Sequence, residues 1–225
     1  MDNTTISKMI HCMHGSINKI YCMCYWGRDD GRVRNLGKTP NNVHLNIKNV
    51  LTPFNYKNDN TFLGFNMDVL CQKNPVRKYE AYGVLWGKDI EFIDLNLVRH
   101  LCRRGVKFYA TSQTPVTIDG VTNLGILPKR KWYQLLSDCK FVLGSGHPKS
   151  GPTILEALYY KTALIGPKAQ FPHDTHNANT HFIDGLSSDE VFNIIQKVKF
   201  EPNSKVDELC SSDSFNKRID AIFDL

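Results

Sequence analysis

The sequence lacks a long hydrophobic run. No stretch of the 225 residues approaches the roughly 20 consecutive apolar residues that a membrane-spanning helix needs. The first ten residues, MDNTTISKMI, also lack the apolar core of a signal peptide. We therefore expect this chain to carry neither a signal peptide nor a transmembrane segment.

Cysteine is too sparse and too irregular to build a framework. The chain has seven cysteines, an odd number, and their spacing fits neither a set of disulfides nor a zinc site. The pair Cys22 and Cys24 forms C-x-C rather than C-x-x-C. We interpret most of the cysteines as small core residues, which is the commonest role of a cysteine that forms no disulfide.

Acidic residues are outnumbered by basic ones. The chain has 28 Lys and Arg against 22 Asp and Glu, which gives a net charge of +6 and favours anionic ligands. The basic residues are dispersed, apart from the runs 129–131 and 103–104. We therefore expect an anionic ligand but no nucleic-acid partner.

Strand and helix patterns alternate from Tyr79 onward, and together they predict a fold of the α/β class. The predicted strands are Ala81–Leu85, Val106–Ala110, Phe141–Leu143 and Ala163–Ile165, and the predicted helices are Ile90–Arg104, Lys131–Asp138, a helix from Pro152, Asp189–Val198 and one after Ser214 that buries Phe215, Ile219 and Ile222. This alternation indicates a doubly wound parallel sheet with helices on both faces. Ligands of such sheets bind at the carboxyl ends of the strands.

One segment at such a strand end has the pattern of an anion site. It reads FVLGSGHPKSGPTILEAL from Phe141 to Leu158 and combines a buried strand, a glycine-rich turn and a helix. Gly151 is the predicted N-cap, and Pro152 fits the first helical position. The backbone N–H groups of Thr153 and Ile154 are then expected to lack helical partners, so they can bind an anion such as a diphosphate.

Glu156 lies one turn beyond this predicted helix start. Its spacing places it on the same helix face as Pro152 and Thr153. A carboxylate at this position can accept two hydrogen bonds from ribose hydroxyls. The alternative is an ordinary α/β connection with a solvated glutamate, and the segment alone leaves both interpretations open.

Further motifs resemble one family. The stretches GKTPNNVHLN, NTFLGF (Asn60–Phe65), GIL (Gly125–Leu127), GPTILEA (Gly151–Ala157), EPNSKVDEL and NKRIDAIF occur in this order. Together they resemble the C-terminal, donor-binding part of the N-acetylglucosaminyltransferase V family, the alpha-1,6-mannosylglycoprotein 6-beta-N-acetylglucosaminyltransferases. The resemblance implies the Rossmann-like C-terminal half of a GT-B fold with a short N-terminal appendage. Residues 1–59 would be a remnant of the acceptor half and a linker, and residues 60–225 the UDP-sugar donor domain.

The resemblance also implies roles for individual residues. Glu156 would bind the ribose, the helix start at Gly151, Pro152 and Thr153 the diphosphate, and the backbone of Gly125, Ile126 and Leu127 the uracil edge. Ser145 and Gly146 are also predicted to bind the donor, because they lie in the glycine-rich turn that follows the strand. Lys88 would reach the diphosphate, with a solvated loop lysine as the alternative.

No metal or other cofactor is expected. His173, Asp174 and His176 look like a metal cluster, but no further cysteine or acidic residue is spaced to complete one. We interpret PHDTH as a surface loop.

The implied function is that of an inverting, metal-independent glycosyltransferase. It would transfer N-acetylglucosamine from UDP-GlcNAc to a mannose of a glycoprotein N-glycan in β-1,6 linkage, in the Golgi if an upstream anchor exists. The general base is unknown, because the acceptor half that would supply it is not recognisable here. Another chain could supply that half.

Two other functions stay open. One alternative is a non-catalytic sugar-nucleotide or glycan-binding remnant, or a partner subunit without the catalytic base. A domain that binds NAD is disfavoured, because Trp86-Gly87-Lys88 follows the first strand where G-x-G-x-x-G would be expected.

Overall fold

The computed structural model describes residues 22–23, 50–54, 61–71, 81–87, 89–145, 151–201 and 208–223. The chain divides into two compact units, one formed by Met1–Phe65 with Asp213–Leu225 and the other by Asn66–Ser212. The division into an acceptor-half remnant (1–59) and a donor domain (60–225) stays a prediction. Lys88 and Gly146 lie outside the described residues, as does most of the predicted linker.

Among the described residues, the smaller unit has three short parallel strands. They are β1 (Cys22–Met23), β2 (Val50–Thr52) and β3 (Thr61–Phe62), hydrogen-bonded in that order. Strand β2 lies within residues 1–59, the region predicted as a remnant of the acceptor half and a linker. Its Val-Leu-Thr sequence favours an extended conformation, and Leu51 and Thr52 are buried.

The larger unit is built on six parallel strands. They are β4 (Tyr82–Trp86), β5 (Lys107–Ala110), β6 (Val121–Asn123), β7 (Phe141–Gly144), β8 (Ala163–Gly166) and β9 (Thr180–Phe182). The strand order is β6-β5-β4-β7-β8-β9, which is the 3-2-1-4-5-6 order of nucleotide-binding sheets. The predicted doubly wound parallel sheet is therefore confirmed, with the edge strands β6 and β9 in addition.

The helices of this unit whose bounds the structure describes are α1 (Met67–Leu70), α2 (Leu95–Arg103), α3 (Lys129–Asp138), α4 (Pro152–Tyr159) and α5 (Ser188–Lys197). Helix α2 begins at Leu95, so the predicted start at Ile90 is wrong. The reason is the Asp94 side chain, which accepts hydrogen bonds from the N–H groups of Asn96 and Leu97 at 3.1 and 3.0 Å and so caps the helix there.

Both faces of the sheet are covered, as the pattern predicts. Leu85 and Leu143 point to one face, where they join a cluster with Val98 of α2 and Ile195 of α5. Successive residues of a strand point to opposite faces. Val142, which precedes Leu143 in β7, therefore points to the opposite face, and it is also buried. Helices α3 and α4 contact each other, and α4 contacts β8.

The last helix, α6 (Ser212–Phe223), begins at the end of the larger unit and continues into the smaller one. Within the smaller unit, the Arg218 Nε donates to the Leu63 carbonyl at 2.7 Å, and its guanidinium lies 4.9 Å from the centroid of the Phe62 ring. The predicted burial of Phe215, Ile219 and Ile222 is wrong, because all three are only half-buried.

Two predictions from composition can be compared with the structure. Among the cysteines that it describes, Cys71, Cys139 and Cys210 are buried and Cys102 is partly buried, which confirms their interpretation as core residues. In the described part of the chain, every helix is too short or too polar to cross a bilayer.

Gly83 lies at a crowded point of the sheet. It lies in β4 opposite Phe108 of β5 and Phe141 of β7. The two phenyl rings meet edge to face, with centroids 5.8 Å apart, and a methyl group on Gly83 would collide with the Phe141 ring and lie 3.0 Å from the Phe108 ring. The absence of a side chain at Gly83 thus lets the aromatic pair close over the strand.

We expect Gly83→Ala to lower the free energy of unfolding by about 1–3 kcal/mol, because it overpacks a core that cannot expand. Denaturant unfolding measures this change. Gly151→Ser is the matched control, since its Cβ would lie an ordinary 3.7 Å from Trp86 and serine is a preferred N-cap. Equal stability of Gly83→Ala and the wild type would contradict this account of the core.

Candidate functional site

A pocket opens at the carboxyl end of the larger sheet. Its volume is about 190 Å³, and its lining combines the ends of strands β4 and β5, the loop before α3 and the starts of α3 and α4. The lining residues are Trp86, Gly87, Thr111, Ile126, Leu127, Trp132 and Thr153. The pocket adjoins the switch point between β4 and β7, where doubly wound sheets bind ligands. It brings together three of the predicted site residues, Ile126, Leu127 and Thr153.

The start of helix α4 has the predicted cap. Gly151 is the N-cap in an extended conformation, and Pro152 occupies the first helical position. The Ile154 N–H, which we expected to be available to an anion, donates instead to the Gly151 carbonyl at 3.2 Å. That part of the prediction is wrong. The helix start therefore faces the pocket through Thr153, with the positive end of the helix dipole behind it.

The GIL segment forms the opposite wall. Gly125 has a φ of +63°, a left-handed conformation that other residues adopt at a cost. This turn directs the chain into α3, whose N-cap is Pro128. Ile126 is 65% exposed and Leu127 is half-buried, and both residues line the pocket.

Glu156 is buried rather than solvated, with 6% of its surface exposed. The Trp132 Nε1–H donates to its Oε2 at 2.8 Å, and the Tyr133 hydroxyl donates to its Oε1 at 3.3 Å. Burial raises the pKa of this carboxyl, while the Trp132 hydrogen bond, the positive charge of Lys129 and the Tyr133 hydrogen bond oppose the rise. The solvated-surface alternative for Glu156 is therefore wrong.

Cys71 and Tyr133, two neighbours of Glu156, have raised pKa values. Burial raises the pKa of the Cys71 thiol to about 11 and is also the main cause of the raised pKa of Tyr133. Both side chains are therefore neutral near neutral pH. The Tyr133 and Tyr160 rings are in contact, with centroids 5.4 Å apart.

The structure does not bring all predicted site residues to the pocket. Ser145 is half-buried, and its hydroxyl accepts a hydrogen bond from the Asp94 N–H at 3.1 Å, which joins the end of β7 to the start of α2. Glu156 is near the pocket, through Trp132, but does not line it. The roles of Lys88 and Gly146 stay predictions.

Sequence reasoning missed Trp132, Tyr133 and Thr111. A Trp-Tyr pair in the first turns of the helix after GIL is a signal that could have been noticed, because aromatic N–H and O–H groups usually seek partners when buried. Thr111 directly follows the predicted strand Val106–Ala110. Its position at a strand end was the only feature of the sequence that could have indicated a place in the pocket.

The PHDTH segment is better packed than a surface loop. It forms a single turn of 3₁₀-helix at His173–Thr175. His173 is exposed as predicted, but Thr175 is buried and its hydroxyl donates to the Pro172 carbonyl at 2.6 Å. Among the described residues, no group of three or more His, Cys, Asp or Glu side chains could hold a metal ion.

Sequence comparison identifies relatives of this chain. The model of glycosyltransferase family 18 matches residues 24–191. An alpha-1,6-mannosylglycoprotein 6-beta-N-acetylglucosaminyltransferase B from Mus musculus is 27% identical over 194 residues, which cover 80% of this chain and 24% of the relative. The chain thus spans about a quarter of the length of this relative.

Solved structures share the fold. MnaA from S. aureus, in a co-structure with UDP, aligns with a TM-score of 0.55 at 10% identity. The alignment covers 99% of this chain and 78% of the MnaA chain. A glycosyltransferase from Rickettsia africae aligns with a TM-score of 0.54 at 11% identity over 98% of this chain and 79% of its own. At these identities the likeness concerns the fold alone, and it confirms the predicted GT-B architecture.

The family model covers most of the chain, including strands β4 to β9 and the GIL and GPTILEA motifs. The relative found by sequence also carries the name of the family that these motifs resemble. We conclude that this chain belongs to glycosyltransferase family 18.

Proposed function

We propose that the chain is the donor-binding half of an inverting, metal-independent glycosyltransferase. It would transfer N-acetylglucosamine from UDP-GlcNAc to a mannose of an N-glycan in β-1,6 linkage. The observation that carries the proposal is the pocket at the carboxyl end of the sheet, where the GIL loop meets the start of α4. The name of the mouse relative supports the choice of sugar and linkage.

The donor would lie across this pocket. Its uracil edge would meet the backbone of Gly125–Leu127, its ribose Glu156, and its diphosphate the start of α4 at Thr153. The helix dipole and the first-turn backbone favour negative charge at that point. The same helix start would stabilise the charge that develops on the departing UDP.

The reaction would proceed in line. An acceptor hydroxyl attacks the anomeric carbon, the bond from that carbon to the β-phosphate oxygen breaks, and both of its electrons leave with UDP. The hydroxyl proton goes to a general base. None of the described residues that line the pocket has a titratable side chain, so we assign them binding and leaving-group stabilisation rather than proton transfer.

Replacement of Glu156 by alanine tests the ribose contact. Hydrogen bonds to a carboxylate are worth about 1.5–3 kcal/mol, so we expect Glu156→Ala to weaken UDP binding by about that amount in calorimetry. Glu201→Ala, which removes an exposed carboxylate outside the pocket, should leave the affinity unchanged. Wild-type protein with no measurable affinity for UDP would refute the proposed function itself.

UDP affinity should also depend on the ionisation of Glu156. Because burial raises the pKa of this carboxyl, its protonation on acidification begins at a higher pH than for an ordinary glutamate. A protonated carboxyl accepts ribose hydrogen bonds poorly, so UDP affinity should fall as the pH drops through this raised pKa. The Glu156→Gln variant keeps the titration of UDP itself and is the control. Identical pH profiles for variant and wild type would contradict the role of Glu156.

Metal independence is tested by chelation. The described residues offer the diphosphate a helix start rather than a metal-binding cluster. We therefore expect UDP affinity, measured by calorimetry, to be the same in EDTA and after dialysis against a metal-free buffer. Added Mn²⁺ should not tighten binding beyond its own association with UDP. A strict requirement for the cation would overturn this part of the proposal.

A further inference from the structure

The Trp132 side chain separates the pocket from the Glu156 carboxylate. Trp132 lines the pocket, whereas Glu156 does not. The indole Nε1–H donates to Glu156 Oε2 at 2.8 Å, and only 6% of the Glu156 surface is exposed. A molecule entering the pocket as it stands therefore meets the indole and not the carboxylate.

The pocket is also small. Its volume of about 190 Å³ is below the roughly 300 Å³ at which small-molecule sites begin. Movement of part of the wall would enlarge it toward the size that a nucleoside diphosphate needs.

The parts of the wall differ in how firmly they are held. Trp86 is buried at the end of β4 and stacks on Phe171, with ring centroids 6.4 Å apart, and Thr153 is part of helix α4. The Trp132 side chain is only half-buried, and one hydrogen bond ties its indole to Glu156. Movement of this side chain would both enlarge the pocket and uncover the carboxylate.

We propose that Trp132 holds the nucleotide site closed in the free protein, and that ribose hydroxyls replace its indole N–H on Glu156 when a nucleotide binds. This inference rests on the proposed function. The exchange is chemically balanced, because one neutral N–H donor leaves the carboxylate and two neutral O–H donors take its place. Trp132 is thus a positioning residue that acts through Glu156.

The closed arrangement has a physical reason. A buried carboxylate without donors is costly, because the group loses its water and gains no partner. The Trp132 hydrogen bond removes part of that cost in the free protein, and it also opposes the rise in the Glu156 pKa. The consequence is a lower affinity for the nucleotide, since only the fraction of molecules with the indole displaced can bind.

Trp132→Phe tests the proposal, because phenylalanine keeps an aromatic ring and removes the N–H. If the closed form outweighs the open form by a factor of ten, UDP should bind about tenfold more tightly to the variant than to the wild type. Inorganic pyrophosphate, which has no ribose to place on Glu156, should bind both proteins equally. Trp86→Phe is the matched control. It removes an indole from the same wall without releasing the carboxylate, and it should weaken UDP binding through lost contact area.

Four calorimetric outcomes are decisive. Tighter UDP binding with unchanged pyrophosphate binding supports the exchange. Unchanged or weaker UDP binding to Trp132→Phe refutes it, and so does an equal gain for pyrophosphate, which would mean that the variant merely enlarges the pocket. If neither the wild type nor Trp132→Phe binds UDP, the proposed function fails and the inference fails with it.

A spectroscopic measurement tests the same movement with Trp132 in place. The chain has three tryptophans, so the full chain with Trp26→Phe and Trp86→Phe reports on Trp132 alone. Saturating UDP should shift its emission to longer wavelength, as the indole leaves the carboxylate and meets water. Unchanged emission in protein that calorimetry shows to be saturated would refute the displacement, even if Trp132→Phe fails to fold.

Discussion

The site depends on one topological constraint. Strands β4 and β7 are neighbours in the parallel sheet, and the connections that follow them leave toward opposite faces. After β4 the chain enters α2, whose Val98 joins the cluster on one face of the sheet. After β7 it enters α4, which lies with α3 on the other face. The two connections diverge, and the space between them at the carboxyl edge is left open for a ligand. The pocket, the GIL loop and the start of α4 all lie along this edge.

The burial of the Glu156 carboxylate is a feature that the fold alone does not explain. A leucine at this buried helical position would pack without any desolvation cost, whereas a carboxylate there must be supplied with donors. The two donors come from consecutive residues of α3, Trp132 and Tyr133. Buried groups with perturbed pKa values occur preferentially at functional sites, and this one lies directly behind a pocket wall. The cost of burial is better understood as a property of a binding site than as a contribution to stability.

Local sequence patterns predicted much of this arrangement, and the parts that they missed have physical causes. The Gly151-Pro152 cap and the strand at Phe141 could be predicted because their signals lie within a few neighbouring residues. The true start of α2 was missed because the Asp94 cap outweighs the apolar pattern that begins at Ile90. The donors to Glu156 were missed because Trp132 is 24 residues away in sequence. That hydrogen bond forms only when α3 and α4 pack side by side, which no local pattern encodes.

For the proposed inverting reaction, the geometry of the displacement also indicates where the remaining chemistry belongs. In an in-line displacement, the attacking hydroxyl and the leaving diphosphate lie on opposite sides of the anomeric carbon. A helix start that stabilises the diphosphate therefore cannot also hold the base that accepts the hydroxyl proton. In the proposed reaction, the base would approach from the side of the sugar that faces away from Thr153. The chain spans about a quarter of the length of its mouse relative, and the proposed division of roles places the base apart from the described residues that line the pocket.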